Sequence, residues 1–421
     1  MSIRVAVRVL RGHWSLPHVL RHRDYRLFWT GQAVSGVGSL MQVVGQSLLV
    51  LKLSHQSALA LGAVSLAQAL AFFLFALIGG GVVDRVNRRA VLFVTQTLLM
   101  GLALTLAVLS ATGTASLPVV VALAFCSGMV MSFDQPARAA LFPGLVPHSE
   151  VPRATALNAL AMTAAGTLGP ALAGVTAASL GLSVNFALNA LSFVVALVCL
   201  ARMRTVNQPA PASSRPPLLT SVREGLQVVA RDPALPWVVS GYGALLLLGP
   251  SPSMLLPLYA AQVLHVDGAP LALLFLAVGA GTLLASVAQA ASSGERQRDV
   301  FVVGLIVWAA ALAVFALSSS LALCAAALLV HGAARNVVGT TAVTLMQLLA
   351  PEQARGRVMS VNTLLAGGVR PIGDFAVSAA IAATSLAGTT LACAGLVGLL
   401  AVALRGPLTR AGTVLRPRSV R

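Results

Sequence analysis

Six ionisable side chains stand inside long apolar stretches of this chain: Asp134, Arg138, His331, Arg335, Arg370 and Asp374. Asp134 and Arg138 are four residues apart, and so are Arg370 and Asp374, and His331 and Arg335. On a helix that spacing places each pair on one face, where an acid and a guanidinium can neutralise each other. Ionisable groups in an apolar phase are costly, which makes each a candidate for chemistry: carboxylates and imidazole can carry protons, and guanidinium groups can hold anions. A structural pair at the end of its stretch explains Asp134 and Arg138 nearly as well. A hydrogen-bond role explains His331 without any proton transfer. A second cluster is uncharged. Gln32, Ser35, Ser39, Gln42 and Gln46 are spaced 3, 4, 3 and 4, one helical face of five hydrogen-bonding side chains. Hydrocarbon cannot satisfy them, so this face meets either a polar cavity or neighbouring helices.

The elements carrying these residues follow from composition. The 421 residues are 57% hydrophobic, 9% charged and 5% aromatic. Soluble domains hold about 25% charged residues, so this chain lacks the polar surface of a water-facing body. Its mean hydropathy is +0.89. Twelve stretches have the length and apolarity of membrane helices: residues 27–51, 58–83, 90–111, 116–140, 155–180, 184–203, 236–260, 270–291, 300–318, 320–346, 358–383 and 386–404. They are numbered spans 1 to 12. The expected fold is an all-α membrane protein. The formal net charge is +17. Twenty-five of the 28 basic residues fall on one side of these spans, counting Arg138 at that end of span 4, with Lys52 alone on the other and Arg335 and Arg370 deeper within spans. The positive-inside rule makes the crowded side, with both termini, cytoplasmic. It also accounts for the charge without nucleic acid. Residues 1–26 form an Arg-rich N-terminal segment expected to lie on anionic lipid, and residues 405–421 a basic tail.

Residues 205–235 divide the spans six and six, into 27–204 and 236–404. This linker opens NQPAPASSRPP and continues with Leu219, Val222, Leu226 and Val229 at helical spacing, which predicts a short amphipathic helix along the cytoplasmic face. The halves repeat. Pro147-HSEVPRATAL-Asn158 after span 4 and Pro351-EQARGRVMSV-Asn362 after span 10 align at an offset of 204 residues, which also pairs Gly169 with Gly373. Gly249-Pro250-Ser251-Pro252 predicts a break in span 7, either an outer gate or a static kink.

Gly80-GVV-Asp84-Arg85-VN-Arg88-Arg89 resembles the loop 2–3 signature of the major facilitator superfamily, with Asn87 where glycine is usual; Asn tolerates a left-handed turn. The resemblance implies that Gly80, Asp84, Arg85, Arg88 and Arg89 latch an inner gate. Ala165-GTL-Gly169-Pro170-ALA-Gly174 partly resembles the span 5 motif that the superfamily associates with drug antiporters, Ala165 and Ala173 replacing glycines. A Gly-Pro step loosens a helix and permits close packing, so Gly169, Pro170 and Gly174 are the implied hinge. DYRLFWTGQ before span 1, FPGLVP after span 4 and LAPEQARGRVMSVN after span 10 resemble the exporter branch that includes the enterobactin exporter, macrolide efflux proteins and lysophospholipid transporters.

The resemblance implies two six-helix pseudo-repeats that rock about a central cavity. It places Gln32, Ser35, Ser39, Gln42, Gln46, His331 and Arg335 on that cavity, and Asp134, Arg138, Arg370 and Asp374 as ion-coupling candidates. The implied function is export of a small amphipathic molecule across a bacterial inner membrane, proton-coupled, by a monomer. A lysophospholipid transporter is the nearest alternative, and a non-transporting receptor a more distant one. The excess of Arg over acid leans toward an anionic or zwitterionic substrate. No phosphate loop, nucleophile elbow or His-Glu-x-x-His motif occurs, and the four cysteines lie in four different spans. No enzymatic activity, cofactor or metal is expected.

Overall fold

Leu and Ala at high density favour helix, an apolar phase leaves the backbone of the Val-rich stretches little else, and the intervening turns carry the residues that stop and restart it. The computed structural model describes residues 16–204, 218–290 and 297–414; the Pro/Ser-rich linker at 205–217 lies outside them. Among the described residues there are twelve helical segments long and apolar enough to cross a membrane. They match the expected spans one for one: Arg23–Leu53, Ala58–Ala76, Arg88–Thr112, Leu117–Leu145, His148–Ser179, Leu182–Arg202, Leu235–Leu264, Ala269–Gln289, Gln297–Leu317, Leu321–Leu349, Glu352–Ala383 and Leu386–Leu408. The fold is all-helical, and the chain is a multi-pass membrane protein. Leu74, Val94, Leu284 and Leu396 are each more than half exposed, as suits side chains facing lipid.

Caps explain several boundaries. Ser57 Oγ accepts the Ala60 N–H at 3.3 Å where span 2 begins. Asn87 does not adopt the left-handed turn expected of it. At φ −59° it is the N-cap of span 3, its side-chain oxygen accepting the N–H groups of Arg89 at 3.0 Å and Ala90 at 3.4 Å. Glycine could not make that cap.

The repeat seen in the loops is a repeat of structure. Pro147 and Pro351 both precede a one-turn 3-10 helix, His148–Glu150 and Glu352–Ala354, each leading directly into the next α-helix. Gly169 and Gly373 also match: a Cβ at Gly169 would meet the Val37 carbonyl of span 1, and one at Gly373 the Leu247 carbonyl of span 7. Glycine thus allows backbone-to-backbone contact at equivalent places in both halves.

Contacts divide the chain into two units, Met1–Ser214 with Leu256–Gly279, and Arg215–Leu255 with Ala280–Arg421. In the first, span 1 packs on spans 5 and 6, and span 2 on span 4, where Gly79 and Gly128 admit the backbones of Ser132 and Gln68. The segment Leu256–Gly279 packs on span 5 in this unit, Ala272 against Gly174 and Gly279 against Thr167. In the second unit span 9 packs on spans 10 and 12, and span 7 on spans 10, 11 and 12.

Of the N-terminal segment expected to lie on lipid, residues 1–15 are outside the described ones, and from Val19 onward it packs on the first unit. Val19 is fully buried beside Tyr25 and Phe28, and Glu150 faces His18 at 3.5 Å and His22 at 3.2 Å. The linker helix forms at Leu218–Arg231 and docks on the helix Arg355–Leu364 at the base of span 11. Gly225 lies against the Arg357 backbone, and Glu224 pairs with Arg357 at 3.0 Å. The last helix continues past residue 404 to Val414.

Replacing Gly373 by Leu forces a side chain into the Leu247 backbone, and overpacking of this kind costs about 1–3 kcal/mol. Thermal unfolding of the purified protein is expected to show a lower Tm for Gly373→Leu and Gly169→Leu. It is expected to show little change for Gly166→Leu, where a Cβ meets nothing within 4 Å.

Candidate transport site

Within the first unit, the two intramembrane ionisable residues, Asp134 and Arg138, belong to one hydrogen-bonded cluster. Asp134 of span 4 is fully buried. Its Oδ1 accepts the Thr95 hydroxyl at 2.8 Å and the Gln96 side-chain amide at 2.7 Å, both from span 3, and its Oδ2 pairs with Arg138 Nε one turn below. The expected Asp134–Arg138 pair therefore exists, and two further donors make it a link between helices. Thr95 and Gln96 were not foreseen, though two adjacent polar residues in an apolar span were a signal.

The span 1 face divides. Gln42 accepts the Asn189 amide of span 6 at 2.6 Å, which is interhelical hydrogen bonding, and Ser35 is 2% exposed. Gln32 lines a void of about 10 Å³ with Gln96. Ser39 and Gln46 are part-exposed. Asn185 and Asn189, one turn apart on span 6, are a second missed signal: both are buried against Gly45 and Gly38 of span 1.

In the basic turn after span 2, the backbones of Gly80 and Asp84 are helical, while the Asp84 side chain lies outside the described ones. Arg88 donates from Nη1 to the Ala140 carbonyl at 3.0 Å, and Arg89 from Nη2 to the Ala201 carbonyl at 2.8 Å. Guanidinium groups at helix C-termini satisfy orphan carbonyls and complement the macrodipole. These two residues bind the ends of spans 4 and 6 to span 3. Arg85 is exposed. On span 5, Gly169 and Gly174 are contact points and Pro170 sits inside the continuous helix Val151–Ser179.

Span 7 is broken as expected, into Leu235–Leu248 and Pro252–Tyr259, and the break at residues 249–251 belongs to the second unit. The break frees the Ser251 N–H, which donates at 2.9 Å to Asp374 Oδ1 of span 11. Asp374 makes no ion pair with Arg370 among the described residues; the carboxylate caps the interrupted helix instead. Span 11 is itself interrupted by a π turn, Leu365–Val369, directly before Arg370. Arg335 of span 10 lies within electrostatic reach of His331, Arg370, Asp374 and Tyr242. His331 is 2% exposed and stacks at 5.3 Å from the fully buried Trp308 of span 9. Trp308 in turn packs against Gly249 at the break.

Residues 15–412 match the family described as transmembrane secretion effector of the MFS class. This chain is a major facilitator transporter of that family. The uncharacterized MFS-type transporter y4rN of Sinorhizobium fredii is 28% identical over 295 residues, covering 69% of this chain and 71% of its own. Solved major facilitator folds agree over nearly the whole length. The nucleoside transporter NupG superposes with TM-score 0.71 at 13% identity, covering 92% of this chain and 99% of its own. A POT family transporter in complex with 5-aminolevulinic acid gives TM-score 0.74 at 10% identity, covering 94% and 97%. The human organic anion transporter MFSD10 gives 0.64 at 17%, covering 91% and 99%. The major facilitator fold thus holds a carboxylate with a full set of donors in one unit, and a helix break capped by a carboxylate in the other.

Removing one member of a buried ion pair leaves the other uncompensated and costs about 3–5 kcal/mol. Asp134→Asn is therefore expected to lower the Tm strongly, and Asp134→Asn with Arg138→Met to recover part of the loss. Thermal unfolding of both purified variants checks this.

Proposed function

We propose that this transporter is a secondary active exporter of small amphipathic molecules, working by alternating access in a bacterial inner membrane with both termini in the cytoplasm. The observation that carries the reading is the interrupted span 7, whose free Ser251 N–H is held by Asp374 of span 11. Discontinuous membrane helices mark substrate and ion sites in transporters, because their freed backbone groups are available only where protein or a cavity meets them. Export is favoured over uptake by the span 5 hinge, Gly169-Pro170 with Gly174, and by the family's description as a secretion effector. Arg85, Arg88 and Arg89 are the inner gate in this reading.

Coupling follows from the same contact. A proton on Asp374 removes the charge that holds the Ser251 N–H and loosens the break; its loss restores the cap. His331 and Asp134 are the other groups through which a proton could act. A lysophospholipid transporter is the second reading, favoured by one feature: a cavity of about 500 Å³ between spans 2, 3 and 4, lined by Ile78, Val94, Leu98 and other apolar side chains, with Thr95 the polar exception. Ile78 and Val94 are more than half exposed, so a lipid tail could enter from the bilayer.

An overexpressing strain separates the two: resistance to several unrelated compounds supports efflux, and altered lipid composition without resistance supports the second reading. In inside-out vesicles, Asp374→Asn is expected to abolish pH-gradient-driven accumulation while leaving counterflow exchange. Unchanged gradient response in Asp374→Asn, Asp134→Asn and His331→Gln alike removes proton coupling. Orientation is checked separately in a chain whose four cysteines are replaced. Arg88→Cys is expected to react with an impermeant maleimide from the inner side only.

A further inference from the structure

Where spans 9 and 10 meet in the second unit, buried polar nitrogens outnumber the partners that the described residues supply. Arg335 Nη1 is buried with no hydrogen-bond partner among the described residues, and so are Trp308 Nε1 and His331 Nδ1. Trp308 is fully buried and His331 is 2% exposed, so surface solvent does not supply their partners; Arg335 is part-exposed as a residue, with its Nη1 buried. The three residues are contiguous: His331 and Arg335 are one turn apart on span 10, and the Trp308 ring lies 5.3 Å from His331. Native proteins leave few buried polar atoms unpaired, and a cluster of them needs an explanation.

The chemistry of the missing partner can be read from what is present. Guanidinium and indole groups donate and never accept, and imidazole does one or the other at each nitrogen. A second guanidinium, Arg370, lies within electrostatic reach of Arg335, and the carboxylate in reach, Asp374, accepts the Ser251 N–H and makes no ion pair with either arginine. Two guanidinium groups thus face one carboxylate already in use, inside an apolar bundle where net charge is disfavoured. Tyr242 completes the surroundings, packed on Gly339 one turn beyond Arg335.

Building on the transporter reading above, we infer that Arg335, with His331 and Trp308 beside it and Arg370 as the second cation, is a recognition site for an oxyanion on the transported molecule, a carboxylate or a phosphate. The planar guanidinium fork matches two oxygens of either group, and in an apolar setting such charge-assisted bonds are strong. A cationic drug meets two guanidinium groups against a single carboxylate here.

The test uses amphiphiles that share one tail and differ in the head: dodecanoate, dodecyl phosphate, dodecanol and dodecyltrimethylammonium. Binding to the full-length protein in nanodiscs is followed by ligand-induced shift in thermal unfolding. Dodecanoate or dodecyl phosphate is expected to bind about ten-fold or more tighter than the alcohol and the cation. Dodecanoate alone points to amphipathic carboxylates, and dodecyl phosphate alone to lysophospholipid-like heads; either supports the site. Arg335→Gln is expected to bring all four ligands to parity, and Arg335→Lys to keep part of the preference. Equal binding of the cation by the unaltered protein overturns the proposal. So does an anion preference that survives in Arg335→Gln, or one that saturating chloride abolishes as effectively as inorganic phosphate. Counterflow in proteoliposomes is measured alongside. Anion-selective binding without flux sinks the transporter reading and leaves the site, and flux without anion preference does the reverse.

Discussion

Hydrocarbon offers no hydrogen-bond partner, so each place where this chain departs from continuous helix must be repaired from within the protein. Span 7 contains Gly249, Pro250 and Pro252, which cannot sustain an unbroken ladder. The Ser251 N–H left over at the break is buried, and Asp374 is the acceptor that makes the break tolerable. That one contact ties the position of span 11 to the bend in span 7. The π turn just before Arg370 follows the same logic, because it relocates one backbone bond and sets the register of the turn carrying Arg370, Gly373 and Asp374. A carboxylate placed in this way is a structural cap, and in the proposed coupling it is also the group whose charge state loosens the break.

Close approach of backbones is the second constraint. Without a hydrophobic drive between helices in lipid, contact depends on small residues that let main chains touch. Gly79 and Gly128 join spans 2 and 4, Gly169 joins span 5 to span 1, and Gly281 and Gly373 do corresponding work in the second unit. Tight seams transmit displacement, and in the proposed coupling a loosened break in span 7 would reach span 11 through the Leu247–Gly373 contact. The basic turn adds guanidinium ties at helix ends, where Arg88 and Arg89 reach carbonyls that would otherwise have no partner.

The spans, the interrupted seventh helix, the linker helix and the duplicated Pro147 and Pro351 turns were all legible in the sequence, because each rests on a local signal: hydropathy along one helix, prolines, or a repeated loop. The Asp134–Arg138 pair was legible for the same reason, being one turn apart. Partners supplied by other helices were not. Nothing in the neighbourhood of Asp134 announces Thr95 and Gln96, 39 and 38 residues away. Spacing alone joined Arg370 to Asp374, and the structure gave the carboxylate to a backbone N–H exposed by a distant break. Trp308 reads as one more apolar residue until its indole N–H is found without an acceptor. Asn87 had the right place and a different role, since a side chain that caps a helix start is as compatible with a turn as one that tolerates positive φ.

The two halves share loop signatures and packing glycines and differ in their intramembrane charges. At the offset that superposes the loops, Asp134 falls on Val338 and Arg138 on Ala342, while His331, Arg335 and Arg370 fall on Ser127, Met131 and Gly166. No intramembrane charge is shared between equivalent positions, although Gly169 and Gly373 retain the same packing duty. Packing was therefore held fixed while charge diverged, leaving one unit whose buried acid is fully matched by its own donors and another whose guanidinium groups are not. The cluster around Asp134 gains less from an anionic ligand, because its carboxylate already accepts from Thr95, Gln96 and Arg138. An unbalanced one such as that around Arg335 gains most when an acceptor arrives from outside, which is the energetic condition for binding something that must later be released.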